Sequence, residues 1–591
     1  MVATTSSPLP VKHPLSPVQE AELKLFEENI RALESGALDS DDFRRFRLEN
    51  GIYGIRNTTD EHMVRVKIKW GNLNADQLDF LAEIAEAYAT PKCAHVTTRQ
   101  AIQMHHIKRR DVPALLRKIN EAGLTTREAC GNTVRNVTAC HFSGVSPEEL
   151  FDVRPYAQAI ADYFLRNPLN QNLPRKFKFA FEGCPTDHAR VGIHDFGAVA
   201  KIKEINGQKV RGFQCYVGGG LGATPFAAQL IEDFTPEDLL IPTAEAVVRI
   251  FDRHGNRKDK ARARIKFVLK DWGIEKMREM ILEERKIALL TRSGRHPDFK
   301  INPHAFDEEP PKVDLPGIVP ESKDPGYVRW RLTNVKKQKQ AGYYSVLVRC
   351  LLGDIYVPQM HALAAIARRY NGGRLRTAIT QNLVMQWVPE KALPLVYAEL
   401  LKAGLAEADA ERVADITRCP GADTCQIAIT HSKGLASALT PIFSNGLSTA
   451  DDIQDIKIKI SGCFNSCGQH HIADIGFYGS SKTIDGHEVP HYVMLLGGYT
   501  KEGVAKFAKP TLQIPARRVP EAANKLLHYY RENHKPDEVF YDFIERTGTG
   551  AIKELLQEFT AIRTEDPKRY EDLGAEGVAF KMEMGQGECA A

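Results

Sequence analysis

The sequence predicts an α/β (α+β) chain that is internally duplicated, with two β-α-β-α half-domains and two larger α/β domains about a pseudo-twofold axis. Three observations carry this. The chain has 591 residues, too many for one hydrophobic core and enough for about three to four domains. Strand and helix patterns alternate through 63–124 and again through 345–405. The copies end Ala122-Gly123-Leu124 and Ala403-Gly404-Leu405, an offset of 281 to 282 residues. The stretches that follow repeat at a constant offset of 279. Val137, Thr138 and Cys140 answer Ile416, Thr417 and Cys419; Gly183, Cys184, Asp195 and Gly197 answer Gly462, Cys463, Asp474 and Gly476; Gly218-Gly219 answers Gly497-Gly498. Spacing held over blocks this long marks a duplication, and a pair of related halves places ligand sites between them.

Residues 1–60 read as an N-terminal arm, with a Pro/Ser/Thr-rich lead to about residue 18, a charged helical stretch over 19–48 and a turn-rich link from Asn50 to Gly54. Residues 61–126 form the first half-domain: a strand through Val64, Val66 and Ile68, a helix over 78–88, a strand over 94–104 and a helix over 112–122. Residues 127–306 form the first large α/β domain, and the Pro-rich stretch 307–338 links the halves. The second copies are 339–408 and 409–565, where Ile366, Ala367 and Tyr370 repeat Ile84, Ala85 and Tyr88. The tail 566–591, charged and Gly-rich, reads as flexible, with Cys589 uninvolved. The Gly218–Gly222 run reads as a structural turn rather than a dinucleotide loop, because its Gly pair recurs at Gly497 inside the repeat.

No run of about 18 apolar residues exists, so no membrane span is expected. The start has neither an apolar h-region nor a twin-arginine pair, and eleven cysteines in such a chain argue for a reducing, cytoplasmic setting. A net charge of +4 gives no reason to expect nucleic-acid binding.

Chemistry concentrates between Cys419 and Cys467. Cys419 and Cys425 have five residues between them, and Cys463 and Cys467 have three. Close pairs of thiols on short turns, with Gly421, Gly462 and Gly468 beside them, suit a soft metal centre. Inert buried thiols and zinc are the alternatives; the spacing fits zinc's usual pairs poorly and an iron–sulfur cluster better. In the first half only Cys140 and Cys184 echo this set, and His188 stands opposite Cys467.

This pattern resembles the signature of the sirohaem-containing sulfite and nitrite reductases, and the likeness runs from about Tyr53 to about Leu555. It implies that Cys419, Cys425, Cys463 and Cys467 hold a 4Fe–4S cluster, with Cys467 also bridging to the sirohaem iron, and that the half-domains are ferredoxin-like. Arg65, Arg135, Lys176 and Lys178 match the family's substrate-binding cations. Arg99, Gln103, His105 and Arg175 match positions that contact the macrocycle carboxylates. A lone arginine is more often a solvated surface charge. Lys176 and Lys178, however, would share one face of an extended strand ahead of an apolar run, which asks for an anion.

The resemblance implies a six-electron reduction of sulfite to sulfide, with nitrite reduction to ammonia on the same site as the alternative. Members that prefer nitrite tend to carry Asn where this chain has Lys178. Tyr53 and Cys130 fit a Tyr–Cys thioether found in some sulfite-reducing members. The segments Cys93 to Gln100 and Asp152 to Tyr156 look closer to ferredoxin-dependent nitrite reductases. No flavin or nicotinamide domain is recognisable, so a ferredoxin or similar low-potential donor is expected. The duplication, already a pseudo-dimer, points to a monomer.

Overall fold

The computed structural model describes residues 12–292, 299–315, 321–444, 451–585 and 587–588; the first eleven residues and Cys589 lie outside them. The charged arm forms two helices, Pro17–Glu34 and Ser40–Glu49. Ser16 starts the first with a capping box to Gln19, and Pro17 supplies the preset φ of a first helical residue. The helices turn Leu23, Phe26, Ile30 and Phe43 into the half-domain core. The lead just before them is held, since His13 N–H donates to the Glu121 carbonyl at 2.7 Å.

The two half-domain sheets exchange strands. The first contains Ile52–Gly54, Glu61–Val66, Ile102–Lys108 and Cys93–Val96, and its fifth strand, Asp354–Tyr356, comes from the second half. The second contains Val335–Lys337, Tyr343–Val348, Leu383–Pro389 and Arg374–Thr377, completed by Asn72–Asn74 from the first half. Registers match reciprocally, Asp354 opposite His95 and Arg376 opposite Asn72. Helices Ala75–Tyr88 and Val357–Asn371 cover the sheets, and one continuous hydrophobic core holds residues of both half-domains.

Each large domain is built on a five-stranded mixed sheet. Thr138–Ala139, Phe179–Glu182 and Phe196–Ile205 run parallel, followed by antiparallel Gln208–Val217 and Gln229–Pro236. Thr417–Arg418, Ile458–Ser461, Ile475–Ile484, His487–Leu496 and Lys509–Pro515 repeat this arrangement. Each has its own core. The Gly218 turn is structural as expected: Gly218 has φ +84°, and a side chain at Gly219 would meet the backbone of His194.

Four local expectations change. The strand expected over 94–104 is two strands separated by a turn, with Gln100 at φ +55°, and that turn carries Arg99. Ile68 lies beyond its strand, which ends at Val66. Residues 325–338 are not linker. Helix Pro325–Asn334 buries Trp330 in the half-domain core, and Val335–Lys337 is an edge strand of the second sheet. The described residues of the tail, read as flexible, make specific contacts instead. Arg47 grips the Glu588 carboxylate at 2.6 and 3.1 Å, and Gly585 N–H donates to the Gln426 carbonyl at 2.9 Å. Among the described residues no helix is long and apolar enough to cross a membrane.

Candidate functional site

Two loops leave the same end of adjacent parallel strands. Thr417–Arg418 leads into Cys419, and Ile458–Ser461 leads into Cys463; Arg418 pairs with Ile460, and Cys419 N–H donates to the Ile460 carbonyl at 3.2 Å. Parallel register thus brings one cysteine of each pair side by side. Gly421, at φ +67°, would press a side chain to 2.6 Å from the Ser432 nitrogen, and one at Gly468 would collide with the Ile460 carbonyl. Only glycine lets the loops turn this tightly. Gly462 N–H donates to Cys419 Sγ at 3.2 Å, and Asn465 Nδ2 donates to Cys463 Sγ at 3.5 Å.

The four sulfurs feel one another. Burial raises the Cys419 thiol, and the charge of Cys467 raises it further; burial and the same neighbours push Cys425 up to about 12 and Cys463 higher still. Bare thiols packed this way resist ionisation, and bound iron supplies the positive charge that reverses the preference. The donor set therefore fits a 4Fe–4S cluster. Cys467 is exposed between buried Ser466 and Gly468. The first half's Arg99-bearing turn docks on its loop: Thr98 Oγ1 donates to the Cys467 carbonyl at 3.0 Å.

The expected cations gather in two connected groups. Arg65 Nη1 and Arg135 Nη1 both donate to the Tyr53 hydroxyl, at 2.8 and 3.2 Å, and the Arg65 guanidinium lies 4.6 Å from the Tyr53 ring centroid. Gln103 faces Arg65 across the strand pair and, with its amide oxygen turned toward Nε, accepts at 3.0 Å. Arg135 is fixed further by the Gly131 and Ala129 carbonyls. Tyr53 Oη also donates to the Ala129 carbonyl at 3.3 Å, which sets it against the residue preceding buried Cys130.

The second group is Arg99, Lys176 and Lys178. Arg99 donates to Thr138 Oγ1 at 3.1 Å and to His194 Nε2 and the Asn136 carbonyl; burial, then the charges of Arg135, Arg264 and Arg65, lowers it to about 9. Lys176 and Lys178 flank Phe177 just before strand Phe179–Glu182. Burial, then Arg99, Arg264 and Lys176, holds Lys178 well below the ordinary lysine range. Among the described residues no carboxylate forms an ion pair with its ammonium. Arg175 precedes the lysine pair in the chain and lies near Lys260, whose ammonium is lowered by burial and then by the Arg175 charge.

His105 belongs to a different network. Burial, then His95 and Arg418, lowers it to about 3, so its ring is neutral. That network is centred on Asp354, which receives Arg418 at 2.7 Å, Lys433 at 2.8 Å and His95 Nδ1 at 2.8 Å. Gln381 Nε2 lies 3.0 Å from His95 Nε2, which makes Nε2 the acceptor and puts the His95 proton on Nδ1. Burial alone would raise Asp354, but Arg418 and its other partners hold it far below the usual carboxylate range. Asp354 sits on the exchanged strand and Arg418 directly precedes Cys419, so this network ties the cluster loop to the first half.

Sequence reading missed Arg264 and Asp195. Arg264 forks onto the buried Asp195 carboxylate at 2.9 and 2.6 Å, and Asp195 Oδ2 also accepts from Lys178 N–H at 2.9 Å. Asp195 was visible as part of the repeat; Arg264, 69 residues on, had no local signal. The Nε of Arg99 and the Nε2 of His105 are buried without a hydrogen-bond partner. The orphaned Arg99 Nε, which lies in the cationic group, fits a carboxylate-rich macrocycle such as sirohaem.

Comparison with known proteins follows the same outline. Residues 130–288 and 409–562 match the nitrite and sulphite reductase 4Fe-4S domain, and residues 55–122 and 336–403 match the nitrite/sulfite reductase ferredoxin-like half domain. The chain is 29% identical over 528 residues to the assimilatory ferredoxin-dependent nitrite reductase of Haloferax mediterranei, covering 87% of each. It is 30% identical over 441 residues to the ferredoxin sulfite reductase of Mycobacterium tuberculosis, covering 74% of this chain and 73% of the relative. The solved structure of the Mycobacterium tuberculosis NirA protein superimposes with a TM-score of 0.74 at 25% identity, over 91% of this chain and 98% of that one.

Proposed function

The chain belongs to the nitrite and sulphite reductase 4Fe-4S family, and on that premise we propose that it reduces sulfite to sulfide, taking electrons from a ferredoxin-type donor. The observation that carries sulfite over nitrite is Lys178, a half-buried lysine in a cationic group, with no carboxylate in ion-pair contact with its amine among the described residues. Sulfite can carry two negative charges and nitrite one, so two lysines beside two arginines suit sulfite better. Sulfite must also lose three oxygens as water, and each loss consumes two protons, against one such loss per oxygen for nitrite's two oxygens.

Arg65 and Arg135, both bound to the Tyr53 hydroxyl, would grip the oxygens of the anion. Lys176 and Lys178 would add charge and protons. A lysine held below its ordinary range gives up its proton more readily, which suits a general acid. Arg99, Gln103, His105 and Arg175 would receive the macrocycle, Cys419, Cys425, Cys463 and Cys467 the cluster, and Cys467 would be the shared ligand. The bound cofactors supply the redox chemistry; the protein orients, desolvates and protonates. His105, neutral by burial, would act there as a hydrogen-bonding group and not as a charge.

Nitrite is the second reading, favoured by the names of the Haloferax and Synechococcus elongatus relatives, both nitrite reductases. Replacing Lys178 decides between them. Lys178→Asn is expected to lower kcat/KM for sulfite by about ten- to a hundredfold, the loss of one charged contact, and to lower that for nitrite much less. Equal loss on both anions would remove Lys178 as the discriminator. Relatives of both kinds are named as ferredoxin-dependent. A docked acidic donor makes turnover fall as ionic strength rises through the range where the Debye length shortens below about 10 Å.

A further inference from the structure

The first half carries its own cluster of metal-ligand side chains at the position that answers the four cysteines. Cys140 follows strand Thr138–Ala139, Glu182 ends strand Phe179–Glu182, and Cys184 and His188 lie in the loop beyond it. Ligand atoms of these four residues all lie within 4.8 Å of one another. Cys140 Sγ is 3.4 Å from His188 Nδ1, which is 4.0 Å from Glu182 Oε1. Tetrahedral zinc with its usual bonds to sulfur and nitrogen spaces its ligands roughly 3.4 to 3.8 Å apart. Cys140, Cys184 and Glu182 are buried.

We propose that Cys140, Cys184, His188 and Glu182 bind one zinc ion, a mononuclear site in the first half that mirrors the cluster in the second. The offset of 279 makes the comparison residue by residue. Cys419, Cys425, Cys463 and Cys467 correspond to Cys140, Ser146, Cys184 and His188. One cysteine has become a serine, whose hydroxyl bonds to Cys184 Sγ at 3.2 Å, and another has become a histidine. Glu182 stands where the second half has Ser461. Ser461 Oγ accepts from Gly468 N–H at 3.0 Å, and Glu182 Oε2 accepts from the equivalent Ala189 N–H at 2.8 Å. The larger side chain keeps that bond and adds a second oxygen, Oε1, fixed by the N–H groups of Gly183 and Cys184 at 2.9 Å each. Backbone bonds of this kind orient a ligating carboxylate.

The chemistry of the set selects the ion. Two thiolates and an imidazole exclude magnesium and calcium, a carboxylate is a poor ligand for copper(I), and the mixture suits zinc. The cysteines are embedded in an apolar shell with Phe142 and with Leu347, Ala378, Val384 and Ala410 of the second half. Zinc has no redox chemistry, so the site would anchor the first half's loops without entering the electron path.

The test uses the purified holoenzyme, with its visible bands, in buffer freed of trace metal. Elemental analysis is expected to find one equivalent of zinc per chain besides iron. X-ray absorption at the zinc edge should show two sulfur and two lighter neighbours. The Cys140→Ser/Cys184→Ser double variant should lose the zinc and keep its iron and visible bands. No zinc, either as isolated or after equilibration with one equivalent of zinc chloride, overturns the proposal. So does zinc retained by the double variant, or a Cys140–Cys184 disulfide found by mass spectrometry in protein isolated without oxidant. If the double variant fails to fold, the absorption spectrum of the unaltered protein decides by its two-sulfur shell, and His188→Ala, with one ligand lost, should weaken zinc retention against a chelator at least tenfold.

Discussion

At the scale of single residues, Tyr53 is the clearest positioning device. Its hydroxyl accepts from both Arg65 and Arg135 while its ring lies under the Arg65 guanidinium. Tyr53→Phe keeps the ring and removes that shared acceptor. It is expected to lower kcat/KM for the anion by about tenfold or more, the worth of a charge-linked hydrogen bond, while cofactor content stays unchanged. His62 gives a pH signature. It is buried, and burial followed by the charge of Arg47 lowers it to about 4 from an ordinary 6.5. The folded protein therefore holds this ring neutral, and the unfolded chain takes up the proton first as the medium is acidified. Stability from this group is complete above about pH 6.5 and is lost as pH falls toward 4. Denaturant titrations at pH 7 and 5 should show a slope that His62→Gln flattens, by up to about 1.4 kcal/mol per pH unit. The site's cysteines were legible in the sequence because their spacing is local. Lys178 stood out in the sequence only by its place ahead of an apolar run. Arg264 was not, because its meaning lies wholly in its pairing with Asp195 across the fold.

At the scale of elements, the exchanged strands do most to position the site. Asp354–Tyr356 completes the first half's sheet and brings Asp354 to His95, Arg418 and Lys433. Asp354→Asn leaves two cations facing a neutral group. The expected loss is about 3–5 kcal/mol for breaking a buried ion pair, read as a lower denaturation midpoint. Arg418 adjoins Cys419, so the variant's cluster should also bleach faster in air. Period and repeat gave the helices and most strands. They did not give the exchange, because a three-residue strand pairing with a distant segment has no signature of its own. Nor did they give the break at residues 97–101, where one apolar run conceals a turn. The helix from Pro325 was hidden by the prolines and charges around it, although its cap, Asp324 accepting from Gly326 N–H, is an ordinary start signal.

At the scale of the whole molecule, duplication explains both the likeness and the division of labour. The two half-domains share one core, and each large domain keeps its own. A chain ended at residue 315 would lack the fifth strand of its sheet and expose the apolar surface that meets the second half. It is expected to aggregate when produced alone; a soluble, cooperatively folding product would contradict this reading. The repeat offset exposed this architecture directly, since only the second half retains all four cysteines. Substrate choice is harder to read, because it turns on a few side chains in a scaffold that serves both anions.

The most direct test of the account is steady-state turnover of sulfite and nitrite, side by side, with reduced ferredoxin, on protein that shows the sirohaem bands. The account predicts the higher kcat/KM for sulfite. A clear preference for nitrite would contradict it and would assign the lysine pair to a different task.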